Sequence, residues 1–230
     1  MNLICLSDTH NEHPQLTPYM KSLYEDHPNA VLVHAGDSTN SGSLTECTNF
    51  LEWFGSLPFE YKIFIPGNHD TSFEFTPYND NYRVLTKLAE SLGITILINS
   101  VATIDGVTFM GVSKIPRLHS WAFYADEHER QRFYGNCPQD IDVIVSHCPP
   151  HAIADTIGIH AEGRYSGCSA FRDYIYRNDP KVAICGHIHE RYGVYDLENG
   201  TKVVNCAVLN ERYQMQNLPI IVDVPLQCVL

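Results

Sequence analysis

Short apolar runs that end in polar residues recur along this chain. Five of them, at residues 2–7, 30–35, 61–66, 141–146 and 181–185, are rich in aliphatic side chains. Runs of this length and composition favour strands that are buried on both faces. Stretches typical of helices lie between them, around 15–26, 44–56, 81–92 and 168–178. The alternation predicts βαβ units and a largely parallel sheet.

Two further stretches, 94–112 and 191–223, contain shorter apolar runs that are separated by turn residues. The runs are 94–98, 101–104, 107–111, 192–197, 202–206 and 219–224. The dipeptides Asp105-Gly106 and Asn199-Gly200 are signals for hairpins. These features predict a second sheet that packs on the first.

Two segments, 113–140 and 148–167, show no strand pattern, and long loops in a compact domain are often functional. Isolated histidines in loops are expected to be solvated; they are His13, His119, His128, His151 and His160. Because the chain has no internal repeat and no linker, we expect a single domain over residues 1–230.

Composition narrows the function classes. Hydrophobic residues make up 44% of the 230 residues and charged residues 18%, as in a folded globular protein. The formal net charge of −12 disfavours binding to a long nucleic acid, which depends on phosphate neutralisation by Lys and Arg. A small anionic substrate remains compatible with this charge, because bound cations can invert the local field.

The distribution of apolar residues and cysteines suggests a cytoplasmic protein. No apolar run approaches the roughly 20 residues of a membrane span. The N-terminal segment lacks the basic region, apolar core and cleavage site of a signal peptide. The eight cysteines form no CxxC pair, so we expect reduced thiols in the core rather than a zinc ribbon or a redox motif.

Residues typical of metal ligands follow each of the five long apolar runs. In chain order they are Asp8, His10, Asp37, Asn68, His69, Asp70, His147, His187 and His189. Because α/β proteins place their sites at the carboxyl ends of parallel strands, five such strands would bring these side chains to one edge of a sheet.

The spacing within two of these motifs indicates shared ligation. In an extended chain, residues i and i+2 point the same way. Asp8 and His10 are therefore expected to face one ion together. His187 and His189 are expected to do likewise, with Ile188 turned into the core.

The set of ligand types predicts two borderline divalent ions. Carboxylate, imidazole and amide oxygen without thiolate suit Mn, Fe, Zn or Ni. Seven ligands are too many for one tetrahedral ion and suit two ions about 3.5–4 Å apart that share a carboxylate. Gly36, Gly67 and Gly186 next to the ligands would permit close approaches that a side chain blocks.

These motifs resemble those of the calcineurin-like metallophosphoesterase family. The family pattern is D-x-H, G-D, G-N-H-[DE], H and G-H-x-H, and this chain has DTH at 8–10, GD at 36–37, GNHD at 67–70, H at 147 and GHIH at 186–189. Within the family it is most similar to the small metallophosphoesterase-domain proteins, through HCPP at 147–150, GC at 167–168 and GHIHERYG at 186–193.

The resemblance implies a fold and a role for each motif residue. The fold would be two packed mixed β-sheets flanked by helices, an αββα sandwich. Asp8, His10 and His189 would hold the first ion; Asn68, His147 and His187 would hold the second; and Asp37 would bridge both. His69 would face the substrate as a catalytic residue.

One position departs from the protein phosphatase branch of the family, which has a further Asp three residues after its G-D. This chain has Asn40 there. The departure weakens a protein phosphatase assignment and leaves open what orients His69, for which Asp70 or a backbone carbonyl are the alternatives.

The reaction suggested by these residues is hydrolysis of a phosphate ester by a metal-bridging hydroxide, with His69 protonating the leaving group. Small phosphodiesters, such as cyclic nucleotides, are the expected substrates, with two divalent ions as cofactors and Mn as the first choice. Asn11, Arg117, Arg164 and Arg191 are the candidates for binding substrate. The alternatives are a phosphomonoesterase or protein phosphatase, a nuclease, or a non-catalytic scaffold. The sequence does not specify the oligomeric state.

Overall fold

The first of two large sheets contains the N-terminal strands. The computed structural model describes residues 1–76, 80–116, 118–158 and 164–225. The strands of this sheet are β1 (Asn2–Leu6), β2 (Val31–His34), β3 (Lys62–Phe64), β4 (Ile94–Ile96) and β13 (Ile220–Asp223). Their order is β13-β1-β2-β3-β4, and all neighbours are parallel except β13, which pairs antiparallel with β1.

The second sheet has parallel strands at its centre and a hairpin at each edge. Its strands are β5 (Ser100–Ile104), β6 (Val107–Val112), β7 (Val143–Ser146), β10 (Val182–Cys185), β11 (Gly193–Asp196) and β12 (Lys202–Asn205), in the order β11-β12-β10-β7-β6-β5. The edge pairs β5–β6 and β11–β12 are antiparallel. The two predicted turns, Asp105-Gly106 and Asn199-Gly200, connect these pairs and are confirmed. Asp105 and Gly106 both have positive φ, as a two-residue hairpin turn requires.

The two sheets pack face to face through alternate residues of their strands. Leu3 and Cys5 of β1 lie in an apolar cluster with Val143 and Val145 of β7. The intervening Ile4 lies in a second cluster, which contains the apolar faces of the helices. The expected arrangement of two mixed sheets flanked by helices is therefore confirmed.

In the part of the chain that the structure describes, five α-helices flank the sheets: α1 (Thr17–Asp26), α2 (Leu44–Ser56), α3 (Asn81–Ser91), α4 (Glu127–Gly135) and α5 (Ser169–Asn178). The four predicted helices agree with α1, α2, α3 and α5. Ser43 and Glu46 form a capping box that begins α2, satisfying backbone donors that have no partner within the helix. α2 and α3 pack together beside β4, whereas α4 and α5 pack together.

The prediction that the five ligand-bearing strands share one sheet is wrong. β1, β2 and β3 lie in the first sheet, whereas β7 and β10 lie in the second. Likewise β4 and β13, which were expected in the second sheet, form the edges of the first. Buried strands of either sheet have the same apolar composition, so the pattern along the chain does not identify their partners.

Segment 113–140 contains a helix that the apolar pattern does not predict. α4 is mostly polar and buries only Arg130 and Tyr134. Its start is fixed by Asp126, whose side chain accepts a hydrogen bond from the Glu129 amide at 2.8 Å. Segment 148–167 contains a two-stranded ribbon, β8 (Thr156–Ile157) and β9 (Arg164–Tyr165).

His13 also departs from expectation, because it is buried rather than solvated. Its side chain is 4% exposed and packs against Phe50 and Trp53 of α2. The cysteines among the described residues are free thiols, and most are buried. No helix in the described part of the chain has the length and apolar character needed to cross a membrane.

Candidate metal centre

The carboxyl ends of strands from both sheets converge on one site. Ser7, directly after β1, pairs with Ala207, two residues after the end of β12, as an isolated parallel bridge. The amide of His187 after β10 donates to both carboxylate oxygens of Asp8 at 3.0 Å. These contacts fix the ends of the two sheets against each other and place their polar residues together.

Asp8, His10 and His189 form the first group of potential ligands. Asp8 Oδ1 lies 3.2 Å from His189 Nε2. The Nδ1 atom of His189 donates to the Asn210 carbonyl at 2.9 Å, and that of His10 donates to the Thr39 carbonyl at 3.1 Å. A donor role for Nδ1 leaves Nε2 of each neutral ring with a free lone pair, as metal-ligating histidines require.

Asp37, His147 and His187 form the second group, and Asp37 lies between the two groups. Its Oδ2 atom lies 3.0 Å from His147 Nε2 and 3.9 Å from His10 Nε2, which belongs to the first group. His147 donates from Nδ1 to the Ala35 carbonyl at 2.8 Å, so its Nε2 also faces the site.

Three buried polar atoms at this centre have no hydrogen-bond partner: His10 Nε2, His147 Nε2 and Asn68 Oδ1. His147 Nε2 is close to Asp37 but is not aligned for a hydrogen bond. Buried polar atoms are rarely left unpaired because their desolvation is uncompensated. All three belong to residues predicted as ligands, and their chemistry fits a bound divalent cation.

The protonation equilibria show how strongly the centre attracts positive charge. Burial opposes protonation of His147, yet the neighbouring Asp37 carboxylate outweighs it and raises the pKa of His147 to about 9. Burial likewise opposes protonation of His189, but the hydrogen bond and charge of Asp8 raise its pKa to about 9. His187 has no comparably close carboxylate, and burial lowers its pKa to about 4. A divalent cation would replace the protons on the first two rings.

Close packing around the carboxylates explains the neighbouring glycines. A Cβ atom on Gly67 would lie 2.3 Å from Asp37 Oδ1, and one on Gly186 would lie 2.2 Å from Asp8 Oδ2. Gly36 has a φ of +100°, and a Cβ there would lie 2.5 Å from His147 Nδ1. The predicted need for close approach at these positions is confirmed.

Several of the proposed ligands have strained backbones. The φ angles of Asp8, His10, Asp37 and His187 are +54°, +40°, +52° and +68°, in a region that residues with a Cβ seldom occupy. Such conformations persist only where the surrounding structure imposes them, and they cluster at functional sites.

The prediction that His187 and His189 face one ion together is wrong. His187 belongs to the group around Asp37, and His189 belongs to the group around Asp8. The expectation that residues i and i+2 point the same way holds only for extended chain, and the backbone of His187 is left-handed, with a φ of +68°. Asp8 and His10 do lie in one group, although their backbones are left-handed rather than extended. Ile188 is buried as expected.

His69 is oriented by the backbone carbonyl of Asn40, which accepts a hydrogen bond from its Nδ1 at 2.6 Å. Asp70, the alternative partner, is directed away from the imidazole. Its buried carboxylate accepts hydrogen bonds from the amides of Gly67, Ser38 and Thr39 at 2.8–3.3 Å. Asp70 therefore fixes the two loops that carry Asp37 and His69, and its hydrogen bonds go to these loops rather than to the His69 ring.

A cavity of 190 Å³ opens over the centre. Its described lining consists of His10, Asp37, Asn68, His69, Leu118, Trp121, His187, His189 and Tyr213. Leu118, Trp121 and Tyr213 were not predicted as site residues; an aromatic residue of segment 113–140, such as Trp121, was expected to pack rather than to stack on a ligand. Their positions follow from the folding of two distant loops, and no local motif marks them.

Three of the residues predicted to bind substrate, Asn11, Arg164 and Arg191, are described, and they are absent from the described lining of this cavity. The side-chain amide of Asn11 donates to Glu46 at 2.6 Å. Arg191 donates to the carbonyls of Thr156 in β8 and of Gly158 at 2.7 and 3.0 Å. Arg164 is exposed on β9, and Arg117 lies outside the described residues.

Comparison with known proteins agrees with this geometry. Residues 1–191 match the model of the family described as calcineurin-like phosphoesterase. The human metallophosphoesterase domain-containing protein 1 is 31% identical over 96% of this chain and 70% of its own length. A UPF0046 protein of Caenorhabditis elegans is 32% identical over 98% of this chain and 76% of its own.

Solved structures share the fold at low sequence identity. Phosphopantetheinyl hydrolase from Mycobacterium tuberculosis has a TM-score of 0.61 at 17% identity, covering 92% of this chain and 90% of that one. The NAD nucleotidase of Haemophilus influenzae has a TM-score of 0.55 at 15% identity, covering 97% and 49%. With two groups of potential ligands and a family match over most of its length, this chain belongs to the calcineurin-like phosphoesterases, a family of enzymes that bind two divalent metal ions.

Proposed function

We propose that this chain hydrolyses a small phosphodiester, such as a cyclic nucleotide, with two divalent metal ions. The observation that carries the proposal is the position of Asp37, whose Oδ2 lies 3.0 Å from His147 Nε2 in one group and 3.9 Å from His10 Nε2 in the other. A carboxylate between two sets of imidazoles is the arrangement that a shared ligand of two ions requires.

The remaining roles follow from the two groups. Asp8, His10 and His189 would hold the first ion, and His147, His187 and Asn68 would hold the second. Asn68 is included because its buried Oδ1 has no hydrogen-bond partner. When bound, the ions would supply an activated water and offset charge on the phosphoryl oxygens. Mn is our first choice for reconstitution, with Fe, Zn and Ni as alternatives, since the ligands are nitrogen and oxygen atoms.

His69 would act as the general acid. Its Nδ1 donates to the Asn40 carbonyl, so Nε2 is the ring atom left for a substrate, and the imidazolium form would donate its proton from there. The ring lines the cavity and lies 4.8 Å, centroid to centroid, from the proposed ligand His10. Proton donation to a leaving alkoxide from this position would contribute about 10²–10⁴-fold to the rate.

The preference for a small diester rests on size and charge. A cavity of 190 Å³ admits a group about the size of a nucleotide fragment rather than a protein surface. Among the described lining residues there is no Lys or Arg, which favours the single negative charge of a diester over the greater charge of a monoester. The net charge of −12 disfavours long nucleic acids.

The test is a substrate panel on protein reconstituted with Mn. It should contain 2′,3′- and 3′,5′-cyclic nucleotides, mononucleotides, phosphopeptides and single-stranded DNA, with Asp37→Ala as the inactive control. We expect hydrolysis of at least one cyclic nucleotide to exceed hydrolysis of every phosphopeptide and of DNA. Faster dephosphorylation of a mononucleotide or a phosphopeptide would reassign the chain as a phosphomonoesterase.

A further inference from the structure

Trp121 is a large apolar side chain that remains exposed beside the metal centre. Its indole packs against the His69 ring at a centroid distance of 4.3 Å and an angle of 45°. The residue is nevertheless 42% exposed and lines the cavity. Core packing does not account for a tryptophan in this position, since burial of an indole is among the larger apolar contributions to stability.

Backbone hydrogen bonds link Trp121 and described residues near it in the chain. The Trp121 amide donates to the Leu118 carbonyl at 3.0 Å. Ile115 pairs with Phe123 and Ala125 through backbone hydrogen bonds of 2.9 and 3.0 Å, which close the loop. These bonds place the Trp121 backbone beside the cavity, and its contact with the His69 ring locates the indole there.

Tyr213 provides a second exposed ring at the same cavity. It packs edge-on against His10 and His189 at 4.8 and 5.3 Å and is 51% exposed. Its φ of +57° is unusual for a bulky residue. The loop that imposes this conformation is built on Asn210, whose Oδ1 accepts the amides of Arg212 and Gln214 at 2.9 and 3.0 Å.

The same Asn210 also fixes a proposed ligand, because its carbonyl accepts the Nδ1 proton of His189 at 2.9 Å. One residue thus sets both the orientation of a ligand and the position of the Tyr213 ring. The two exposed rings therefore line the same cavity, with Trp121 beside the proposed general acid and Tyr213 beside the first group of ligands.

We propose that Trp121 and Tyr213 form an aromatic subsite for a flat heterocycle of nucleobase size. Aromatic rings recognise any base through its π-face, and such stacking changes affinity by about 5- to 150-fold per base. Trp121 stacks on the part of the substrate that carries the leaving oxygen, since it adjoins His69. The placement of the leaving oxygen beside Trp121 rests on the proposed function. The stacking of a heterocycle on the two rings does not.

The binding test uses the fact that the sequence contains two tryptophans, Trp53 and Trp121. Trp53 lies on α2, where its indole donates to Thr17 at 2.9 Å, and it does not line the cavity. Trp53→Phe therefore leaves Trp121 as the sole indole fluorophore, and Trp121→Phe is the matched control. Both metal-reconstituted variants are titrated with adenosine monophosphate, ribose 5-phosphate and inorganic phosphate.

We expect adenosine monophosphate to quench the fluorescence of Trp53→Phe, and neither ribose 5-phosphate nor phosphate to do so. The fluorescence of Trp121→Phe should not respond to any of them. Absence of quenching by the nucleotide in Trp53→Phe, or equal quenching by ribose 5-phosphate, would overturn the proposal.

Kinetics separate recognition of the base from support of His69. Trp121→Ala should lower kcat/KM about 5- to 150-fold on a cyclic nucleotide, mainly through KM, and lower hydrolysis of the base-free ribose cyclic phosphate by a clearly smaller factor. Trp121→Phe should retain most of the activity on the nucleotide. Equal losses on the two substrates would show that Trp121 only positions His69. Quenching without hydrolysis of any diester would refute the proposed function and leave the subsite standing.

Discussion

Gly67 occupies a position in which a methyl group has no room, and this predicts the effect of a one-carbon change. A Cβ atom there would lie 2.3 Å from Asp37 Oδ1, whereas real Cβ contacts are essentially never shorter than 3.0 Å. Either the carboxylate or the Gly67 backbone must therefore move by at least 0.7 Å, the difference between these distances.

The carboxylate has little freedom to adapt to this displacement. Asp37 Oδ1 accepts the His69 amide at 2.8 Å, so its movement breaks that bond or shifts His69 as well. A misplacement near 1 Å in a catalytic site costs about 10²-fold in rate. Overpacking of a buried site destabilises a protein by about 1–3 kcal/mol. Gly67→Ala should thus lose about 10²-fold activity and part of its metal, with a modest loss of stability.

The assay combines elemental analysis, hydrolysis of the best diester and chemical denaturation of the metal-free protein. The matched control is Gly135→Ala at the end of α4, where an added Cβ meets no atom within 4 Å. Gly135→Ala should retain full activity and gain up to about 1 kcal/mol of stability. If Gly67→Ala binds two ions and keeps wild-type activity, the inferred rigidity of Asp37 is wrong.

Three further changes test separate parts of the account. His69→Ala should lower the rate of hydrolysis of a nucleotide diester by about 10²–10⁴-fold and leave the metal content unchanged. The loss should be clearly smaller on a nitrophenyl ester, because its leaving group needs no proton. Equal losses on both substrates would indicate charge stabilisation instead of proton donation. Asp70→Ala should lower the free energy of unfolding by about 3 kcal/mol, measured by urea denaturation, because several buried donors lose their acceptor. His13→Phe should weaken the pH dependence of the free energy of unfolding. Burial lowers the pKa of His13 to about 4 in the native protein. Below about pH 6.5 the unfolded chain therefore binds a proton at this residue that the native protein does not bind. Wild-type stability should then fall, relative to the variant, by about 1.4 kcal/mol per pH unit down to about pH 4; parallel pH profiles would contradict this.

The sequence identifies the proposed ligands better than it identifies their surroundings. Asp8, Asp37 and His147 each follow a buried apolar run, and a residue in that position lies at the carboxyl end of its strand whichever sheet contains the strand. The convergence of these side chains was therefore predictable even though the sheet of β7 and β10 was not. Partner choice between buried strands depends on packing between distant segments, which a local pattern does not contain.

Backbone conformation sets a second limit on prediction. Alternation along an extended chain wrongly assigns His187 and His189 to one ion, because a φ of +68° at His187 redirects the chain. Left-handed conformations are predictable where glycine stands, as at Gly36, but only a minority of Asp and His residues adopt them. The tertiary contacts of the site impose them, so they become visible only in the folded structure.

The third limit on prediction from sequence concerns which loop residues reach the cavity. Trp121 and Tyr213 reach the cavity through segments whose hydrogen bonds are formed with distant residues or with their own backbones. Arg191 shows the converse case: it neighbours a metal-type motif in sequence, yet its guanidinium is bound to the carbonyls of Thr156 and Gly158. Proximity in sequence to a ligand is thus a poor guide to contact with the substrate.

The central claim is that two ions share Asp37, and metal stoichiometry during reconstitution tests it most directly. Metal-free protein is titrated with Mn while bound metal and diester hydrolysis are measured on the same samples, for wild type and for Asp37→Ala. We predict that full wild-type activity requires two ions per chain and that Asp37→Ala loses both ions together with activity. Full activity with one ion per chain, or retention of both ions by Asp37→Ala, would contradict the account.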